Sequence, residues 1–172
     1  MITLLRQRRS IRTFLQKRIE AAKIDLLTEA LLRSPSSRNI CPWEFIFVKE
    51  SELLQKLSRA KQSGSAFLAK APLAVVILGD EQKSDVWIED CSIAAIILQL
   101  TAQSLGLASC WVQIRNRMHD METTSEVYVQ QLFGLKDHLR VESIIGIGYA
   151  AEHKPGVPAE HLHREKIHSS TF

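Results

Sequence analysis

The stretch CSIAAIILQLTAQSLGLASCWVQI, from Cys91 to Ile114, carries no charged residue over 24 positions. That is long enough to cross a bilayer as a helix. Yet Ser92, Gln99, Thr101, Gln103, Ser104, Ser109 and Gln113 lie within it, and Gly106 interrupts it. Uncompensated amides and hydroxyls are costly in hydrocarbon, so a membrane span is the weaker reading. A helix, a glycine stop and a buried strand account for it better. The helix is expected from about Asp85 to Leu105, with Gly106 at C′, and the strand from Ala108 to Ile114. Ile88, Cys91, Ile93, Ala94, Ile96, Ile97, Leu98, Leu100, Ala102 and Leu105 occupy nearly the whole circumference of that helix. A helix apolar all round has to be surrounded, and a small domain rarely manages this alone. The pattern predicts that a second copy of the chain covers it.

Working outward, residues 2–8 suggest a short helix ending at the Arg8-Arg9-Ser10 turn. A second helix is expected from about Glu20 to Ser34, with Ile24, Leu27, Ala30 and Leu31 on one face. Pro35 stops it, and Ser34-Pro35-Ser36-Ser37-Arg38-Asn39 reads as a loop. Trp43–Val48 reads as a strand buried on both faces, and Ser51 as the cap of a helix carrying Leu53, Leu54, Leu57 and Ala60. Leu73–Leu78 is a second apolar strand, ended by Gly79-Asp80. Thr123-x-x-Glu126 matches a capping box opening a helix that ends at Gly134. Val141–Tyr149 is the last core strand. The tail from Lys154 is polar, contains Pro155, Gly156 and Pro158, and suits an arm lying over another surface. Helices and strands alternate irregularly, which leaves α+β or α/β, in one domain spanning residues 1–172.

With 172 residues, 45% of them hydrophobic and 24% charged, the chain is an ordinary globular domain, neither disordered nor fibrous. The formal charge of +3 hides an uneven distribution. Up to residue 40 nine Lys/Arg face three acids, a net +6, and the remainder carries −3. Such asymmetry points to an anionic ligand or surface near the N-terminus. Cys41, Cys91 and Cys110 are an odd number with no CxxC pair, and two lie in apolar runs. Reduced thiols in a cytoplasmic protein fit this usage. The opening MITLLRQRRS has too short an apolar stretch for a secretory signal.

Two segments could carry chemistry. In Arg8-Arg9-Ser10-Ile11-Arg12, positions 8, 10 and 12 share the parity of an extended chain, so two guanidiniums and a hydroxyl could meet one phosphate. Taken alone, the segment suits a solvated basic turn or a nonspecific nucleic-acid patch as well. Pro35-Ser36-Ser37-Arg38-Asn39-Ile40-Cys41-Pro42-Trp43 offers hydroxyls and an amide, held between prolines, to a polar heterocycle; taken alone, it is more simply an ordinary loop. Other matches fail. Gly146-Ile-Gly148-Tyr-Ala-Ala151 has the permissive dinucleotide spacing but lacks the following helix and distal acid. His161, His163 and His168 have no cysteine or carboxylate set to complete a metal site, and none is expected. There is no nucleophile elbow, zinc-protease motif or Walker loop.

Taken in order, RRSIRTF, SPSSRNICPWEFIFV, the Ala71-Pro72 strand, DCSIAAIILQLTAQSLGLASCWV, LFGLKDHLRVESIIGIGYAAEHKPG and HREKIH resemble the FMN-dependent nitroreductase family, from about residue 6 to 168. The resemblance implies an α+β fold with a central mixed sheet flanked by helices. It also implies an obligate homodimer with exchanged C-terminal arms and two FMN at the interface. Arg8, Arg9 and Ser10 match the family's phosphate-end motif, and Arg12 the basic position near the flavin pyrimidine. Pro35, Ser36, Ser37 and Asn39 match the motif that reaches ribityl and ring from the partner subunit. Trp111, Val112 and Gln113 match the segment beside N5, and Arg164 the tail's phosphate ligand. Three departures stand out: Cys41 where a glutamine is usual, Ala150 where a proline is usual, and a short connection before the long helix. They suggest a minimal member with an open pocket.

The implied activity is electron transfer from NAD(P)H through flavin N5 to a small acceptor such as a nitroaromatic or quinone, in ping-pong turnover. The cofactor would carry the chemistry, so no side chain is named as catalytic. Two alternatives stay open: a family member of divergent role (flavin carrier, dehalogenase-like or flavin-cleaving), and a basic nucleic-acid module. The second lacks a recognition-helix pattern and exposed aromatics for stacking. The partners expected are therefore small molecules and a second copy, without nucleic acid or membrane.

Overall fold

The computed structural model describes residues 1–171. The chain runs α1 (Ile2–Gln7), α2 (Ala21–Leu32), β1 (Trp43–Val48), α3 (Ser51–Leu57), β2 (Leu73–Asp80), α4 (Trp87–Ser104), β3 (Ala108–Gln113), α5 (Ser125–Phe133) and β4 (Leu139–Gly148). The strands form one sheet in the order β1-β2-β4-β3. All three pairings are antiparallel, so the mixed sheet expected from the sequence is not formed by these strands. Parallel pairing is confined to a single bridge between Ser10 and Ser109.

The central strands β2 and β4 are continuous apolar runs because both faces of the sheet are covered. Every residue of β2 is buried. Side chains alternate across the sheet, so Leu73, Val75 and Ile77 meet Leu27, Leu31, Ala94 and Leu98 of α2 and α4. Ala74, Val76 and Leu78 meet Leu54, Leu57 and Val129 of α3 and α5 on the opposite face. Gly79 permits the close approach of α4, since a Cβ there would lie 2.5 Å from the Trp87 ring.

Three local expectations shift. β1 is an edge strand, and only Trp43 and Val48 of it are buried. Ser51 is the first helical residue of α3, and Glu50 occupies the cap position without a side-chain bond. At α5 it is Thr124, one residue later than expected, whose hydroxyl accepts from Val127 N–H at 3.2 Å. Thr123 is held by a turn in which Asp120 accepts its N–H at 2.7 Å, and Glu126 is committed elsewhere, to Arg140.

The uncharged stretch is a helix, a turn and a strand. Gly106 sits after the helix end at φ +73°, the left-handed conformation a C′ glycine supplies without a Cβ clash. Among the described residues no helix is long and apolar enough to cross a membrane. α4 buries Cys91, Ala94, Ala95, Leu98 and Ala102. Its outward face carries Ile93 and Ile96, 40% and 39% exposed, an apolar stripe that the described residues leave open. From Val157 to Thr171 every residue is exposed, including Leu162 and Ile167.

Candidate functional site

After α1 the chain becomes extended, and Ile11 N–H donates to Ser109 O at 3.1 Å, laying residues 8–12 along the start of β3. Ile11 and Phe14 anchor this segment in a small apolar cluster with Ala71 and Ala108. Arg8, Ser10 and Arg12 of this segment all act on one buried atom. The Cys110 thiol donates to Trp111 O at 3.5 Å, and the charges of Arg12, Lys154 and Arg8, with the Ser10 hydroxyl, act on it. Burial pushes that thiol up, outweighing the cations.

Lys154 escaped the sequence reading. Its ammonium donates to Ser10 O at 3.2 Å and pairs with Glu152 at 3.2 Å. Glu152 accepts from the N–H groups of Arg12 and Thr13 at 2.7 and 3.1 Å, and the Arg12 N–H above all holds its carboxyl below the ordinary value. The available signal was the Glu-x-Lys spacing directly after a strand end. Arg9, by contrast, points away: its guanidinium donates to Pro155 O and lines a cavity of about 370 Å³ with Gln7, Gln103, Gly106 and Gly156. That bond ties the segment to the tail. Arg164 lies in an exposed single turn of the tail, Arg164–Lys166.

β3 leads away from this cluster with one edge open. Ser109 turns its carbonyl to Ile11, so the same parity turns the backbone groups of Trp111 and Gln113 to that edge. Val112 points into the core and is 1% exposed. The Trp111 indole donates to Gln113 Oε1 at 2.9 Å, and Gln113 Nε2 donates to Arg115 O at 3.0 Å, fixing both side chains.

The second segment lies at the other end of α4. Arg38, Asn39 and Cys41 are left-handed, at φ 53°, 54° and 51°. For residues with a Cβ this costs about 1–2 kcal/mol each. The surroundings hold it: Cys41 N–H donates to Ser36 Oγ at 2.8 Å, Arg38 pairs with Asp85 at 2.7 Å, and Ser37 N–H donates to Asp90 Oδ1 at 2.8 Å. Asp90 is on the first turn of α4 and Gln103, in the Arg9 cavity, is on the last. At 1.5 Å per residue the two lie about 20 Å apart. One chain therefore does not unite Pro35, Ser36, Ser37 and Asn39 with Arg8, Ser10 and Arg12.

The sequence profile of the nitroreductase family matches residues 5–64 and 59–149. The chain belongs to the nitroreductase family. The FMN-dependent nitroreductase of Clostridium difficile R20291 is 43% identical, with a TM-score of 0.98 over 100% of both chains. A protein of Archaeoglobus fulgidus named "Putative NADH dehydrogenase/NAD(P)H nitroreductase" is 32% identical over 92% of this chain and 94% of its own. One of the same name from Methanothermobacter thermautotrophicus is 31% identical over 94% and 85%.

As a member of this family the chain carries its departures without disruption. Ala150 bridges Phe14, but the bonds run from Leu15 N–H to Tyr149 O and from Ala151 N–H to Thr13 O. The N–H that a proline would lack at position 150 is thus not used there. Cys41 keeps the loop closed through its backbone, and its thiol lies 3.6 Å from Ser36 Oγ.

Proposed function

We propose that the chain is one half of a homodimeric FMN oxidoreductase that moves electrons from NAD(P)H to a small acceptor such as a nitroaromatic or a quinone. The observation that carries this reading is the cation cluster at the head of the open β3 edge. Arg8, Arg12, Lys154 and the Ser10 hydroxyl form the donor set of a phosphomonoester site. The backbone of Trp111 and Gln113 on that open edge would offer donors and acceptors to the edge of a flat heterocycle, the Trp111 carbonyl also accepting from the Cys110 thiol at 3.5 Å. Bound FMN would supply the redox chemistry, taking hydride and passing electrons on in ping-pong order.

The chain's own part is binding, orientation and field. Arg12 places positive charge where reduction adds negative charge, and no side chain is asked to be a general acid or base. The 35–41 loop reaches such a site only from a second copy. Antiparallel packing of two α4 helices through Ile93 and Ile96 would set the first turn of one beside the last turn of the other. The uncovered tail, with Leu162 and Ile167, is suited to lie over that second copy, bringing Arg164 with it.

The test is the absorption spectrum of the purified protein, followed by anaerobic titration. A yellow protein with about one flavin per chain, bleached by NADH or NADPH and restored by a quinone or nitroarene, is expected. A protein that refuses added FMN would overturn the reading; one that binds FMN but resists both nicotinamides would be a flavin-binding member of divergent role.

A further inference from the structure

We infer that Asp90 is a positioning residue for the flavin-binding loop, an assignment that rests on the function proposed above. Asp90 is 3% exposed, on the first turn of α4. A carboxylate at that depth is retained only where its charge is answered. The start of a helix favours it, and Ser37 N–H donates a charge-assisted bond to Oδ1 at 2.8 Å. Oδ2 is buried with no partner among the described residues, so half of the acceptor capacity is left open at this point.

What the bond holds matters more than the bond itself. Ser37 immediately precedes Arg38 and Asn39, the first of the left-handed residues. Without the tether the loop would relax to ordinary backbone angles, and the side chains of Ser36, Ser37 and Asn39 would no longer be held where they stand. Asp85 acts on the same loop through Arg38, but that pair is exposed on both sides (66% and 80%), where ion pairs hold little. Asp90 is the buried tether. It touches neither cofactor nor substrate in this assignment and acts through Ser37.

The experiment pairs FMN titration by flavin fluorescence with amide hydrogen exchange at residues 36–41 in the flavin-free protein. Asp90→Ala is expected to speed exchange at Ser37 and weaken FMN binding about 10- to 100-fold, the range for a hydrogen bond to a charged group. Asp90→Asn keeps an oxygen for Ser37 and should restore most of the protection. Should Asp90→Ala not fold, Ser37→Pro removes the donor together with the hydroxyl. Ser36, at φ −140° and ψ 157°, already has the extended backbone a following proline requires. Ser37→Ala, which keeps the N–H, is its control. Wild-type exchange and wild-type affinity in Asp90→Ala, or equal affinity in Ser37→Pro and Ser37→Ala, overturns the positioning role and leaves the flavin reading intact. A wild-type protein that takes no FMN overturns the flavin reading, and with it the role assigned to the tether.

Discussion

Glu126 and Arg140 meet in a two-point fork, with Nε to Oε1 at 2.9 Å and Nη2 to Oε2 at 2.5 Å, and this fork joins α5 to β4. Burial pushes the Glu126 carboxyl up, but Arg140 and the Val141 N–H outweigh it and hold the group below its ordinary value. An acid whose folded value is depressed stabilises the fold above its unfolded value and loses that contribution as pH falls through the folded one. Glu126→Gln should therefore cost about 1–2 kcal/mol at pH 7, less than a fully buried pair because Arg140 is one-third exposed. The gap to wild type should narrow below about pH 4. Urea denaturation at pH 7 and pH 3.5 checks it, and a gap independent of pH would contradict it.

Sixteen residues along the chain, Glu142 behaves in the opposite sense. Burial pushes its carboxyl above the ordinary value, Ser92 and Arg115 only partly oppose this, and Oε2 has no partner among the described residues. An acid raised on folding contributes most below its unfolded value and loses that contribution as pH rises through the folded one. Glu142→Gln should be more stable than wild type at pH 8 by on the order of 1 kcal/mol and indistinguishable from it near pH 4. The same denaturation series reads the difference, and its sign should be opposite to that of Glu126→Gln.

Arg12 and Lys154 stand on the same cluster but should separate in their effects. Lys154→Ala should weaken FMN binding about tenfold and leave the bound flavin's potential close to wild type. Arg12→Ala should lower the potential by tens of millivolts, about 30 mV for each tenfold change of a two-electron equilibrium. Spectroelectrochemistry of the loaded variants measures this, and an unchanged potential in Arg12→Ala removes its electrostatic role.

Ile96, half-exposed on α4, is the point at which to test assembly. Ile96→Glu puts a charge in the middle of the uncovered stripe and should give a monomer in sedimentation. That monomer should keep the far-ultraviolet spectrum of the fold but take up no FMN, because the loop and the cation cluster are then on different molecules. A monomeric wild type would contradict the prediction.

The architecture was legible where local pattern and burial agree. The uncharged run with Gly106 inside it has one economical solution, and α4 and β3 follow within two residues. Strand order is a long-range property, so β1 read as buried on both faces when it lies at the edge and keeps Phe45–Phe47 only half-buried. The cap of α5 slipped by one residue because Asp120 competes for Thr123, a contest between neighbours that the capping pattern does not register. At the site, the extended course of residues 8–12 was readable from spacing. Lys154 had only the Glu-x-Lys spacing after the strand to mark it, because its place is set by the pairing of the chain after β4 with residues 12–15, and the bond from Arg9 to the tail carbonyl at Pro155 is a long-range contact that spacing does not register.

The 20 Å between the two ends of α4 has a genetic consequence. If each site draws its loop from one chain and its cations from the other, a chain defective at Asn39 and a chain defective at Arg8 fail for different reasons. In a mixed dimer one site inherits both defects and the other inherits neither. Two separately inactive proteins, refolded together, should regain activity toward half that of the wild type per mixed dimer. Sites contained within single chains would show no such rescue.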